Sequence, residues 1–172
     1  MPTKAIIFDL DGTLIDSEKL HLEAELETFR NFGMKIKKSE IKGYMGMGLT
    51  DFFKLLKKKF NAKYSVKEIE KAHAKTLEKY YGKLFPKVPN TKQAIKELSK
   101  KYILALGTSS HTHLAKICLK RLGILKYFKV IVGGDKVLHA KPHPEIFLLV
   151  AKKLKIPPAQ VTVIEDSTNG FK

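Results

Sequence analysis

Apolar positions fall into three successive rhythms along the chain. Between Thr3 and Leu10, Ala5, Ile6, Ile7 and Phe8 form an unbroken apolar run, which suits a strand buried on both faces of a parallel sheet. Asp11-Gly12-Thr13 ends it as a turn. From about Ile15 to Gly82 the spacing becomes helical. Leu22, Leu26 and Phe29 recur on one face before the stop Asn31-Phe32-Gly33. Thr50-Asp51 opens a helix carrying Phe52, Leu55, Leu56 and Phe60. Ser65 with Glu68 reads as a capping box, and behind it Val66, Ile69, His73, Leu77 and Tyr80 predict a buried stripe.

After Pro86 and Pro89 strands and helices alternate. The pattern predicts a helix over 91–100 and a strand from Tyr102 to Leu106, then a helix over 112–122 and a strand from Lys129 to Val132. A helix from Pro144 to Leu154 and a strand from Val161 to Ile164 follow. That alternation belongs to a parallel sheet covered by helices. The expectation is an α/β core, 1–14 and 83–172, interrupted after its first strand by a helical insertion, 15–82.

Composition narrows the class. Of 172 residues, 44% are hydrophobic and 29% charged, which excludes wholesale disorder. Cys118 is the single cysteine, so there is no disulfide framework. No apolar run is long enough to span a bilayer, and Met1 to Lys4 lacks an export signal's features. A cytoplasmic setting is the expectation. The net charge of +16 raises nucleic acid as a partner, but all basic residues except Arg30 and Arg121 are lysines scattered along the chain. Arginine, the residue that forks onto bases and phosphates, is nearly missing, so no dedicated nucleic-acid role is expected.

Ligands of open parallel sheets bind beyond the carboxyl ends of the strands. There this chain places Asp9-Leu10-Asp11-Gly12-Thr13, then Gly107-Thr108-Ser109-Ser110, then Lys141 after the third strand, and finally Glu165-Asp166-Ser167. Outside the insertion the acids are Asp9, Asp11, Glu97, Asp135, Glu145, Glu165 and Asp166. Four of these fall at the ends of two strands. Crowded carboxylates are tolerated where a cation joins them, and all-oxygen ligands favour Mg²⁺.

Asp9-Leu10-Asp11-Gly12-Thr13-Leu14, Thr108-Ser109-Ser110, Lys141-Pro142-His143-Pro144-Glu145-Ile146-Phe147 and Glu165-Asp166-Ser167-Thr168-Asn169-Gly170 resemble, in order, the four motifs of the haloacid dehalogenase superfamily. The last two resemble its phosphatase and β-phosphoglucomutase-like branch. The resemblance covers nearly the whole chain and implies a Rossmann-like core. It implies phosphoryl transfer through an aspartyl-phosphate, with Asp9 as nucleophile and Asp11 as general acid and base. Mg²⁺ is then held by Asp9, the Asp11 carbonyl and Asp166, with Glu165 acting through a metal-bound water. Thr108, Ser109 and Lys141 bind the phosphoryl group.

The insertion's position resembles that of a cap, with hinges near Ile15-Asp16 and Tyr81-Gly82-Lys83. His21 and the glycine-rich loop Gly43 to Gly48, Gly46 included, are candidate substrate contacts. For each the residues leave a plain structural reading open, either a helix residue or a helix connection. His73 reads as structural, and His139 and His143 as supports beside Lys141.

The expected partner is a small phosphorylated metabolite, a sugar phosphate in this branch. Leu49 stands where mutases carry a basic residue, although Lys42 or Lys54 is near. The expectation is therefore a phosphatase, with a β-phosphoglucomutase-like mutase and a non-catalytic binding protein as alternatives. The family pattern continues beyond Gly170, so the C-terminal end of the core is expected to be missing. The strand at 161–164 would then form an exposed edge through which an otherwise monomeric chain associates.

Overall fold

The computed structural model describes residues 2–44, 49–83, 85–167 and 170. The chain divides into two units: Met1–Asp16 with Pro86–Lys172, and Ser17–Phe85. The first unit begins with β1 (Ala5–Phe8), the unbroken apolar run, and all four residues are buried. Its sheet has the order β3-β2-β1-β4, with β2 (Ile103–Thr108), β3 (Phe128–Gly133) and β4 (Val161–Ile164). Every pairing is parallel. β1 is therefore central, which is why both of its faces are apolar. β4, at one edge of the described sheet, alternates half-buried and exposed residues, as the edge position expected for 161–164 requires.

Continuing the chain, the helices are α1 (Glu18–Asn31), α2 (Lys38–Lys42), α3 (Leu49–Lys59), α4 (Val66–Lys83), α5 (Thr91–Leu98), α6 (Thr112–Arg121) and α7 (Glu145–Leu154). The last three belong to the sheet unit. Ile146 and Val150 of α7 pack with Ile7, Ala105 and Val132. The first four make the helical unit, whose core joins Leu22, Phe29, Met34, Ile41, Phe52, Phe53, Leu56 and Ile69. Ile15 stays with the sheet unit because it is fully buried and bridges to Asp11 and Lys87. The unit boundaries thus fall two to three residues beyond the expected 15–82.

The capping box is present. Glu68 Oε2 accepts the Ser65 amide at 2.8 Å and its hydroxyl at 2.7 Å, and Glu68 N donates to Ser65 Oγ at 3.2 Å. Two details of the predicted stripes change. α3 buries Phe53 completely beside Phe52 and Leu56. α4 ends its buried stripe on Tyr81 rather than Tyr80. Steps of three and four both keep a helix face; Tyr81 is selected because its hydroxyl lies 3.2 Å from His21 Nε2. No described helix is long and apolar enough to cross a membrane.

Candidate active site

Parallel strands end on the same side, and the register makes the site. Phe8 lies opposite Leu106 on β2 and Ile164 on β4. The next residues on the three strands are Asp9, Gly107 and Glu165. The Asp9 amide donates to Ile164 O at 2.9 Å, which fixes Asp9 at the end of the sheet. Asp9, Asp11, Thr108, Ser109, Lys141, Glu165, Asp166 and Ser167 line one cavity of about 190 Å³. All the catalytic and metal candidates are therefore gathered at one edge.

Lys141 binds two of the carboxylates. Its Nζ donates to Asp9 Oδ1 at 2.7 Å and to Glu165 Oε2 at 2.5 Å. All three side chains are more than nine-tenths buried. The same ammonium lies 4.9 Å from the centre of the Phe147 ring, a cation–π contact that the ring's negative face favours. Burial pushes the Asp9 carboxyl up to about 7 against the pull of Lys141, and Asp11 and Glu165 add to the rise. Desolvation thus outweighs the pull of the one buried lysine on Asp9.

Asp9, Glu165 and Asp166 each offer an oxygen within 4.8 Å of the others. Ionised, they bring three negative charges against the one of Lys141. A hard divalent cation fits this all-oxygen set. Asp11 is not part of that carboxylate group: its Oδ2 accepts the Ser110 hydroxyl at 2.7 Å. Its side chain thus meets Ser110, and the resemblance implies only its backbone carbonyl at the metal.

The turn that carries Asp11 depends on Gly12. Its φ is +81°, and a Cβ there would sit 2.0 Å from Asp166 Oδ2, so a side chain would displace the acid. Thr13 Oγ1 donates to Asp166 Oδ1 at 3.3 Å. Ser167 donates its hydroxyl at 2.6 Å and its amide at 3.2 Å to Glu165 Oε1, leaving Oε2 for Lys141. Thr108 is fully buried, and its hydroxyl oxygen accepts the Ser110 amide at 3.1 Å. Gly133 and Gly134 let the loop after β3 approach the backbone of Ser109 to Thr112, where a Cβ would fall within 2.5 Å of backbone atoms.

Ser110, Thr13, Ser167 and Phe147 escape a reading by residue type. Ser110, Thr13 and Ser167 stand inside the quoted motifs, which is their only sequence signal. Phe147 closes the third quoted motif, but by residue type it reads as an ordinary core residue of α7.

The other candidates separate. His21 belongs to the helical unit, where it meets Tyr81. Gly46 lies outside the described residues, as do Met45, Met47, Gly48, Thr168 and Asn169. Tyr44 packs on Phe52 with ring centres 5.4 Å apart, so that part of the loop serves the helical core. His73 is buried, 3.4 Å from Thr28 Oγ1 and edge-on to Phe53, as a structural residue should be. His139 and His143 do not support Lys141 through a hydrogen bond among the described contacts; both turn to Glu145.

A family model described as haloacid dehalogenase-like hydrolase matches residues 6–172. A phosphorylated carbohydrates phosphatase of Thermotoga maritima is 34% identical over 168 residues, 97% of this chain and 78% of that protein. A phosphoglycolate phosphatase of Aquifex aeolicus is 33% identical, over 95% of this chain and 76% of that protein. Among solved structures, CbbY of Rhodobacter sphaeroides in complex with xylulose-(1,5)-bisphosphate superposes with a TM-score of 0.83 at 25% identity. That match covers 98% of this chain and 80% of the other.

Proposed function

Because this chain belongs to the haloacid dehalogenase-like hydrolase family and is a phosphoric monoester hydrolase, we propose that it releases phosphate from a small phosphorylated carbohydrate through an aspartyl-phosphate at Asp9. The observation that carries this reading is the buried Asp9–Lys141–Glu165 cluster, with Asp11 and Thr108 lining the same cavity.

Asp9 attacks the phosphorus, forming an O–P bond as the ester O–P bond breaks. Asp11 gives its proton to the departing alcohol oxygen. Asp11 then takes a proton from a water that attacks the phosphorus, and the Asp9 carboxylate is regenerated as phosphate leaves. Ser110 holds the Asp11 carboxylate for both steps. Thr108 and Lys141 stabilise the charge on the phosphoryl oxygens, and Ser109 adds a polar contact at the cavity wall. Asp9, Asp166 and Glu165 would hold Mg²⁺, which when bound screens the repulsion between nucleophile and phosphate.

The relatives named as phosphatases favour this reading over a mutase. The test is phosphate release from a panel of carbohydrate monophosphates, with Mg²⁺ or a chelator. Turnover is expected with the metal. It should fall by about 10³-fold or more in Asp9→Asn, because the nucleophile is gone. Borohydride quenching during turnover should convert residue 9 to homoserine in the wild type. Turnover without a reducible acyl phosphate would reject the covalent step. Migration of phosphate between hydroxyls, with little release, would establish the mutase instead.

A further inference from the structure

A second cluster of metal-ligating side chains lies on the segment that carries Lys141. One ring nitrogen of His139, one of His143 and one carboxylate oxygen of Glu145 lie within 4.8 Å of one another. The histidine rings face each other with centres 4.6 Å apart at 35°. Both histidines are exposed, so an ion reaches them from solvent.

The carboxylate is already positioned. Glu145 Oε1 accepts the Leu138 amide at 2.9 Å, and Oε2 accepts the His139 amide at 2.9 Å. His139 Nδ1 lies 2.8 Å from the same Oε2. The Glu145 amide donates to His143 Nδ1 at 3.2 Å. The three groups are thus drawn together by a short closed loop, and little chain ordering remains for an ion to impose. Lys141 sits between the histidines in sequence, but its ammonium is bound to Asp9 and Glu165.

We propose that His139, His143 and Glu145 form a second cation site, selective for a borderline transition ion of the Zn²⁺ class. Two imidazole nitrogens and one carboxylate oxygen are a donor set suited to such an ion, whereas the oxygen-only group of Asp9, Glu165 and Asp166 suits Mg²⁺. The two sites differ in donor chemistry, so both fill at once. A bound ion ties the two ends of the 139–145 segment together and adds stability by mass action.

The test is titration of Zn²⁺ into untagged, full-length protein saturated with Mg²⁺, read by calorimetry. One Zn²⁺ per chain is expected. Losing a ligand costs at least as much as losing an outer partner of one, so His139→Gln and His143→Gln should each weaken binding by about tenfold or more. Both side chains are exposed, and unchanged circular dichroism will show that the variants fold. Asp9→Asn and His111→Gln should bind Zn²⁺ as the wild type does. Cu²⁺ in place of Zn²⁺ should give an electron paramagnetic resonance spectrum with nitrogen coupling that either histidine variant reduces. The proposal is overturned if the wild type takes up no Zn²⁺, if the histidine variants bind it equally well, if binding disappears in Asp9→Asn, or if the Cu²⁺ spectrum shows oxygen ligands only.

Discussion

The two units differ in what they bury. In the sheet unit, acids and one lysine are buried together: Asp9, Glu165 and Lys141 are all nearly inaccessible and held within 2.7 Å contacts. In the helical unit, the ion pairs Lys38–Glu23, Lys59–Glu40 and Lys79–Glu27 sit on the surface, while aromatic residues fill the core. Phe29 meets Phe52 and Phe53 with ring centres 5.4 and 5.7 Å apart. Exposed pairs contribute roughly 0–1 kcal/mol each. Buried carboxylates instead hold desolvated charge that a ligand can discharge. The helical unit therefore gains its stability from packing, and the sheet edge gives up stability to keep reactive groups dry.

Among the substitutions that test this contrast, replacing Lys141 should most affect turnover. Lys141→Met leaves Asp9 and Glu165 buried without their shared cation. Phosphatase turnover is expected to fall by about 10²–10³-fold, and the Asp9 carboxyl should rise further above its ordinary range. A raised acid favours the folded state at low pH, so the variant's loss of stability should be greater at pH 8 than at pH 5. Thermal melts of metal-free protein at the two pH values check this. Equal losses would mean that Asp9 is not charged in the folded protein.

The packing side of the comparison is tested by Phe53→Ala. A fully buried aromatic removed from a tight cluster costs about 3–5 kcal/mol, and urea denaturation should show a loss of that size. A loss below about 1 kcal/mol would mean that the helical core repacks and is looser than its ring geometry indicates.

The smallest expected effect concerns Glu25, a half-buried acid of the helical unit. Burial pushes the Glu25 carboxyl up to about 7, against the pull of His21. Its folded value lies above its unfolded one, so it stabilises fully below about pH 4.5. That contribution is lost as pH rises through 7. The expected change is on the order of 2 kcal/mol, discounted for the partial exposure of the side chain. Glu25→Gln should flatten the stability profile between pH 5 and 8 and leave the low-pH stability nearly unchanged. An unaltered slope would place the titration elsewhere.

Much of this protein is determined by local sequence. The run Ala5 to Phe8 can only satisfy its apolar faces as a central strand, and alternating strands and helices after Pro89 dictate a parallel sheet. Once strands run parallel, residues at their carboxyl ends share an edge, so Asp9, Thr108 and Glu165 meet there. Ser65 and Glu68 cap α4 because a capping box needs only neighbouring residues. Other choices depended on distant partners. Tyr80 and Tyr81 fit the same helix face, and contact with His21 decided between them. Asp9 and Asp11 are near neighbours with like charge, yet one faces Lys141 and the other Ser110. His139 and His143 flank Lys141 in sequence but turn to Glu145. Periodicity reports which face a residue occupies; which group it meets there is decided by chain segments that sequence distance keeps apart and folding brings together.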